Sequence, residues 1–350
     1  MTRTIALMLV LVVVTAGVLA AGSSGARQTR RTIGLVTRQG AASFFGAVES
    51  GGQAAAAALG DDLAVTEAGT WGDAAAQISA IKSLIRQHAA AIAFATDEPA
   101  AVKQVVPALA QARAAGIPTV SFQVPSPGSV WVNESSPAQF AHALADALAS
   151  QMNQRGQFVI VSCRPAEAIV ATWLKLTKAY LQRRYPHMHR VGVAYGDLGN
   201  GDVDTHMFNR LMQAHPQLRG LIFLCPGEAV IVPQQVIAAH KVGKVFSAGN
   251  GATCPPLDMG YFGRYVRLGA EEIVCLGDPA KLGYLTVWAA DYLAGGHTFA
   301  PGSYDVGVPV GTVQYFSQNE ELRLGQPLTI TKANLAQYAG PCPPGTPSPC

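Results

Sequence analysis

Charge is scarce in this 350-residue chain: only 13% of its residues are Asp, Glu, Lys or Arg, with 25 basic side chains against 22 acidic ones. Setting aside Arg3, which lies in an N-terminal leader, leaves 24 against 22. So even a balance gives no electrostatic reason to expect nucleic acid or an anionic membrane as partner. Catalytic signatures are missing too. No G-x-S-x-G elbow, H-E-x-x-H pair, Walker loop or G-x-G-x-x-G follows a strand-like run, and the eight histidines are scattered. The six cysteines contain no C-x-x-C spacing, which argues against a zinc or redox site. The one acidic cluster, Asp197 with Gly199-Asn200-Gly201-Asp202-Val203-Asp204, lacks the glutamate a calcium loop needs at its twelfth position. It reads as a solvated turn with aspartates capping a helix. No enzyme, cofactor or metal is expected on these grounds.

What is present begins with a secretion signal. Residues 1–26 place Arg3 before the apolar run Ile5 to Val14 and the small residues Ala20, Ala21, Gly22 and Ser23. That is the order of a signal peptide, with a short apolar stretch; the alternative is a retained membrane anchor. Export to the periplasm or beyond makes disulfides the expected state of Cys163, Cys225, Cys254, Cys275, Cys342 and Cys350. Six cysteines allow 15 pairings, and the sequence leaves them open. Cys342 and Cys350 fall in a proline-rich tail, 341–350, where they could close a local loop.

The mature chain exceeds one comfortable core, which predicts two lobes. Ile33 to Val36, Leu63 to Thr66, Ala91 to Ala95 and Thr119 to Phe122 read as strands, with helices over Phe44 to Leu59, Asp73 to His88 and from Pro99 to Gly116. This alternation predicts a doubly wound α/β lobe. Periodicity lapses between Gln123 and Ser136, where Pro125, Pro127, Gly128 and Pro137 cluster, as at a passage between lobes. Helices over Ala138 to Met152 and Ala166 to Tyr185, with strands at Phe158 to Ser162, Val191 to Tyr195, Gly220 to Leu224 and Lys244 to Ser247, predict a second lobe. Pro233 is expected to limit how far back the helix ending at His240 begins. Asp278-Pro279 opens a further helix to Leu293, and Val306 to Phe316 reads as extended.

In an open parallel sheet, ligands collect beyond the carboxyl ends of the strands. Arg38, Asp97, Gln123, Arg164, Glu228, Asn250 and Asp278 all fall there or at a helix start, and together they are the candidate ligand residues. Phe44 and Phe45 join them, since an aromatic face covers the apolar side of a sugar while a guanidinium and a carboxylate serve its hydroxyls. Taken singly, each polar residue is also an ordinary cap or turn residue, and the Phe pair ordinary core.

The ordered set of Ile33 to Phe45, Gly116-Ile117-Pro118-Thr119-Val120, Leu276-Gly277-Asp278-Pro279 and Leu328 to Tyr338 resembles the type I periplasmic binding proteins of ABC importers, in the branch that binds autoinducer-2 and rhamnose. The resemblance implies two Rossmann-like lobes joined by three crossovers around a ligand cleft. On that pattern 27–123 with 279–316 make the N-terminal lobe and 124–278 with 317–340 the C-terminal one. It implies capture of a sugar or sugar-like solute by a single-copy protein and delivery to a membrane permease. The alternatives are a sensing module for a receptor kinase or chemoreceptor, and a secreted α/β enzyme. In the autoinducer-2 pattern Arg38 replaces a lysine and Gln123 an aspartate, while Asp278 is kept. Cys225 and Gly227 replace a proline and an alanine, and Ile169-Val170 fall near an Asp-Gln pair. These departures imply either a ligand other than autoinducer-2, less polar or smaller, or a site that has drifted away from sugar binding.

Overall fold

A strand with no polar side chain must be covered on both faces, and Ala91 to Ala95 is such a run. In a computed structural model, which describes residues 30–39, 42–70, 73–95, 99–163, 168–197, 200–251, 254 and 256–340, all five of these residues are buried. The chain begins β1 (Thr32–Thr37), α1 (Ala42–Leu59), β2 (Asp62–Glu67), α2 (Ala74–Arg86), β3 (Ala91–Ala95), α3 (Pro99–Ala114) and β4 (Thr119–Phe122). It continues through β5 (Val130–Asn133), α4 (Pro137–Gln151), β6 (Gly156–Ser162), α5 (Ala168–Arg184), β7 (Met188–Tyr195) and α6 (Gly201–Ala214). Then come β8 (Leu218–Phe223), α7 (Pro226–Ala238), β9 (Phe246–Asn250), α8 (Phe262–Leu268), β10 (Glu272–Cys275) and α9 (Pro279–Ala294). Three strands follow, β11 (Gly302–Asp305), β12 (Thr312–Phe316) and β13 (Glu321–Arg323), then β14 (Leu328–Ile330) and α10 (Leu335–Tyr338).

Two sheets result. The first has the order β11-β12-β13-β5-β4-β3-β1-β2 and the second β14-β10-β9-β8-β6-β7. On one face of the first sheet, Ile33, Leu35, Ala93, Val120, Phe122 and Val132 pack with Val48 of α1 and Leu282, Leu285 and Val287 of α9. On the other, Val36, Ile92 and Phe94 meet Ile81 and Leu84 of α2 and Val105 and Leu109 of α3. The second sheet is covered likewise, by α4 and α5 on one side and α6, α7 and α8 on the other. Helices α1 and α9 touch through glycines: a β-carbon on Gly51 would collide with the Ala280 carbonyl, and one on Gly283 with the Val48 carbonyl.

The chain passes between sheets three times, at 134–136, 276–278 and 324–327. The sequence reading spreads the first passage over 123–136 and ends the first lobe at 123 and 316, whereas β5 and β13 still belong to the first sheet. The Pro/Gly cluster at 125–128 is a tight return that brings β5 alongside β4 in parallel register, Ser121 opposite Trp131. The true passage after β5 is short because α4 starts at once. Ser136 caps it, its Oγ accepting from Gln139 N–H at 3.1 Å while Gln139 Oε1 accepts from Ser136 N–H at 3.2 Å. Pro233 does not delay its helix either. α7 opens at Pro226, and Pro233 sits inside it, buried against the sheet. Strand β10 and helix α8 have no counterpart in the sequence reading. Nor does an aspartate cap α6; Asn200 does.

Glu271 precedes β10 and is 1% exposed, with neither carboxyl oxygen hydrogen-bonded among the described residues. Burial pushes its carboxyl well above the usual range. The folded protein therefore keeps a proton that the unfolded chain releases above about pH 4.5. This group's contribution to folded stability therefore falls as pH rises from there, by up to about 1.4 kcal/mol per pH unit. Glu271→Gln is expected to remove this contribution, so that urea melts between pH 5 and 8 show a shallower decline than the parent. Parallel declines would refute the assignment.

Candidate ligand cleft at the carboxyl ends of both sheets

In each alternating unit the helix starts at the carboxyl edge of its sheet. Since only three residues separate β5 from α4, and β10 from α9, the carboxyl edges of the two sheets are brought together. The crossovers touch there: Leu324 N–H donates to Asn133 O at 2.8 Å, and Gly325 N–H to Glu134 O at 2.9 Å. Between the edges lies the expected ligand position.

On the first-lobe side, Arg38 follows β1 and is 3% exposed. Its guanidinium carbon lies 5.0 Å from the centre of the Phe45 ring, a cation–π pair that fixes the long side chain. Phe45 meets Phe44 edge-on at 5.2 Å and Phe122, the last residue of β4, at 6.4 Å. Phe45 is thus both core and platform, whereas Phe44 stays half-buried at the margin. Gln123, just beyond β4, has φ +67°, a left-handed conformation that costs a non-glycine residue about 1 kcal/mol. Its Oε1 is buried without a hydrogen-bond partner among the described residues. Asp97 lies outside the described residues.

On the second-lobe side, a disulfide joins Cys163, after β6, to Cys225, which precedes α7. A second joins Cys254 to Cys275, the last residue of β10. Both stitch the carboxyl edge. Cys342 and Cys350, expected to close a local loop, are outside the described residues, as is Arg164. Asn250 ends β9, and its Nδ2 donates to Leu224 O at 3.1 Å. Glu228, in the first turn of α7, is fully buried and points at Gly196, where a β-carbon would also lie 2.7 Å from Asp204 Oδ1. Asp278 caps α9, accepting from Ala280 N–H at 2.9 Å. Val170 is buried in the second-lobe core with Ile169 packed against it. Packing therefore accounts for that apolar pair, and it carries no information about ligand polarity.

Glu134 was missed by the sequence reading. It is 8% exposed, at the carboxyl end of β5, and burial, then the neighbouring Asp278 charge, push its carboxyl up to about 8. The rule that found Arg38 and Gln123 would have found it had β5 been read as a strand.

A family model described as a periplasmic binding protein domain matches residues 33–298. The chain belongs to the periplasmic binding protein family. This binding protein also shares its fold with solved structures. A sugar ABC transporter protein from Actinomyces odontolyticus is 23% identical, with a TM-score of 0.75 over 89% of this chain and 98% of that one. A solute-binding protein from Clostridium phytofermentas with bound L-rhamnose is 21% identical, with a TM-score of 0.72 over 89% and 98%. LsrB from Clostridium saccharobutylicum, in complex with AI-2, is 17% identical, with a TM-score of 0.70 over 88% and 100%. Among the described residues, no helix is long and apolar enough to cross a membrane.

Proposed function

We propose that this protein is an exported solute-binding protein that captures a sugar or sugar-like polyol between its lobes and delivers it to an ABC permease. The observation that carries the reading is the Arg38 guanidinium held over the Phe45 ring at the carboxyl edge of the first sheet. A buried cation on an aromatic platform offers what a sugar needs, planar donors for hydroxyls beside an apolar surface. Gln123 and Asp278 add acceptors, and Asn250 adds a polar amide from the opposite sheet. Binding between lobes leads to closure by hinge motion, which presents a changed surface to the permease. No chemical step is required. The solutes named in the related structures, L-rhamnose and AI-2 among them, set the class to be tested.

The test is thermal stability of the mature protein against pentoses, deoxyhexoses, polyols and autoinducer-2. A solute at a hundred times its dissociation constant should add about 2.7 kcal/mol of stability. Arg38→Ala should weaken that solute's binding roughly 10- to 100-fold, the worth of hydrogen bonds from a charged donor. Asp278→Ala should weaken it as well. A shift that survives both substitutions would place the site elsewhere.

A further inference from the structure

All three crossovers meet at one residue. Glu134 is the first residue of the first crossover. Against it lies the second, where a β-carbon on Gly277 would stand 3.0 Å from the Glu134 Cβ and 3.4 Å from its Cγ. The third is tied to its backbone, Gly325 N–H donating to Glu134 O at 2.9 Å. Any change in the relative setting of the lobes must turn these segments, and so must alter the surroundings of this carboxyl. Its Oε1 is buried with no hydrogen-bond partner among the described residues.

Among the described residues, the charged groups on the crossovers offer no compensation. The second crossover presents Asp278, a like charge. The third begins at Leu324 and Gly325, which do not titrate. Arg323, the residue before them, is committed elsewhere: its Nε and Nη2 donate to the two carboxyl oxygens of Glu321 at 2.8 and 2.7 Å. Glu321 in turn accepts from Asn133 and Asn319, which completes a closed network beside the crossover.

We propose that Glu134 is a positioning residue for the hinge: its carboxyl, enclosed between the crossovers beside Asp278, ties the relative setting of the two lobes to the proton it carries. The inference rests on the reading of this protein as one whose lobes move. With the proton in place the carboxyl is neutral and its enclosure is tolerated. Once the proton is lost, an unpaired anion sits beside a second carboxylate, and arrangements that open the crossovers to water are favoured. The value of about 8 puts this change just above neutrality. Solute affinity, which depends on the population of the closing-competent arrangement, follows the same titration.

Small-angle scattering of the solute-free, full-length mature protein between pH 6 and 10 tests this without a sugar, so a wrong solute assignment does not affect the outcome. The wild type is expected to change its radius of gyration in a step centred near pH 8. Glu134→Gln, isosteric and unable to ionise, is expected to hold the low-pH value throughout, and Glu134→Asp to restore a step. Asp278→Asn, which keeps a competent helix cap, is expected to move the step to lower pH by removing the like charge. A flat wild-type profile, or an unchanged step in Glu134→Gln, overturns the proposal. Should Glu134→Gln fail to fold, the Asp278→Asn profile decides, and an unmoved step there overturns it equally.

Discussion

Gly283→Ala is expected to lower the unfolding free energy by about 3 kcal/mol or more, the upper end of what overpacking costs. The added methyl would land on the Val48 carbonyl oxygen of α1, a backbone atom that cannot rotate aside as a side-chain tip would. Gly51→Ala meets the same obstacle from the other helix, against the Ala280 carbonyl. Helix α9 is buried along most of its length between α1 and the sheet, with Leu282, Leu285, Val287, Ala289 and Ala290 all in the core, so separating the helices would also open that core. Gly46→Ala provides the contrast. It lies on the same α1, has nothing within 4 Å of a new β-carbon, and should gain about 0.5–1 kcal/mol from helix propensity. Urea melts of the three variants measure both signs, and equal midpoints for Gly283→Ala and Gly46→Ala would rule out the close crossing.

Removing the Cys163–Cys225 disulfide by a double change to alanine should destabilise the protein by about 4 kcal/mol, because the bond closes a loop of 62 residues in the unfolded chain. Cys254–Cys275 spans 21 residues, and its loss should cost about 3 kcal/mol. The two pairs also differ in what they hold. The first fixes the entry of α7 against the end of β6, so its removal should weaken solute binding as well as stability, whereas the second pins the edge around β10. Denaturant melts of the two double variants give the ranking, and solute titrations separate the effect on binding. A Cys163→Ala/Cys225→Ala protein as stable as its parent would mean that the link does not restrain the unfolded chain.

Much of this architecture is legible residue by residue. Ala91 to Ala95 declares a doubly covered strand because nothing in it could face water, and Asp278-Pro279 declares a helix start because capping is local chemistry. The same locality explains the failures. Val130 to Asn133 is only four residues behind a Pro/Gly turn, and it becomes a strand through pairing with β4 on one side and with Glu321 to Arg323 on the other. No window around residue 130 contains that partner. The cysteine pairs were closed to sequence reasoning for the same reason, since Cys163 finds Cys225 only because β6 and β8 are neighbours in the sheet. Arg38, Gln123, Asn250 and Asp278 become candidates by their place after an apolar run. Glu134 escaped with the unrecognised strand it follows.

The position of β13 has a consequence for how the chain is made. This three-residue strand links the β11–β12 hairpin to β5 in the sheet, yet it is synthesised about 190 residues after its partner, Glu321 pairing with Trp131 and Arg323 with Asn133. The first lobe therefore cannot finish as it emerges; its last segments, α9 to β13, wait until α4 to β10 of the second lobe have been threaded out. Such long-range closure makes for slow folding and a lengthy exposure of apolar strand edges. A chain cut short before residue 321 would keep every residue of the Arg38 platform while losing the strand that seals its sheet.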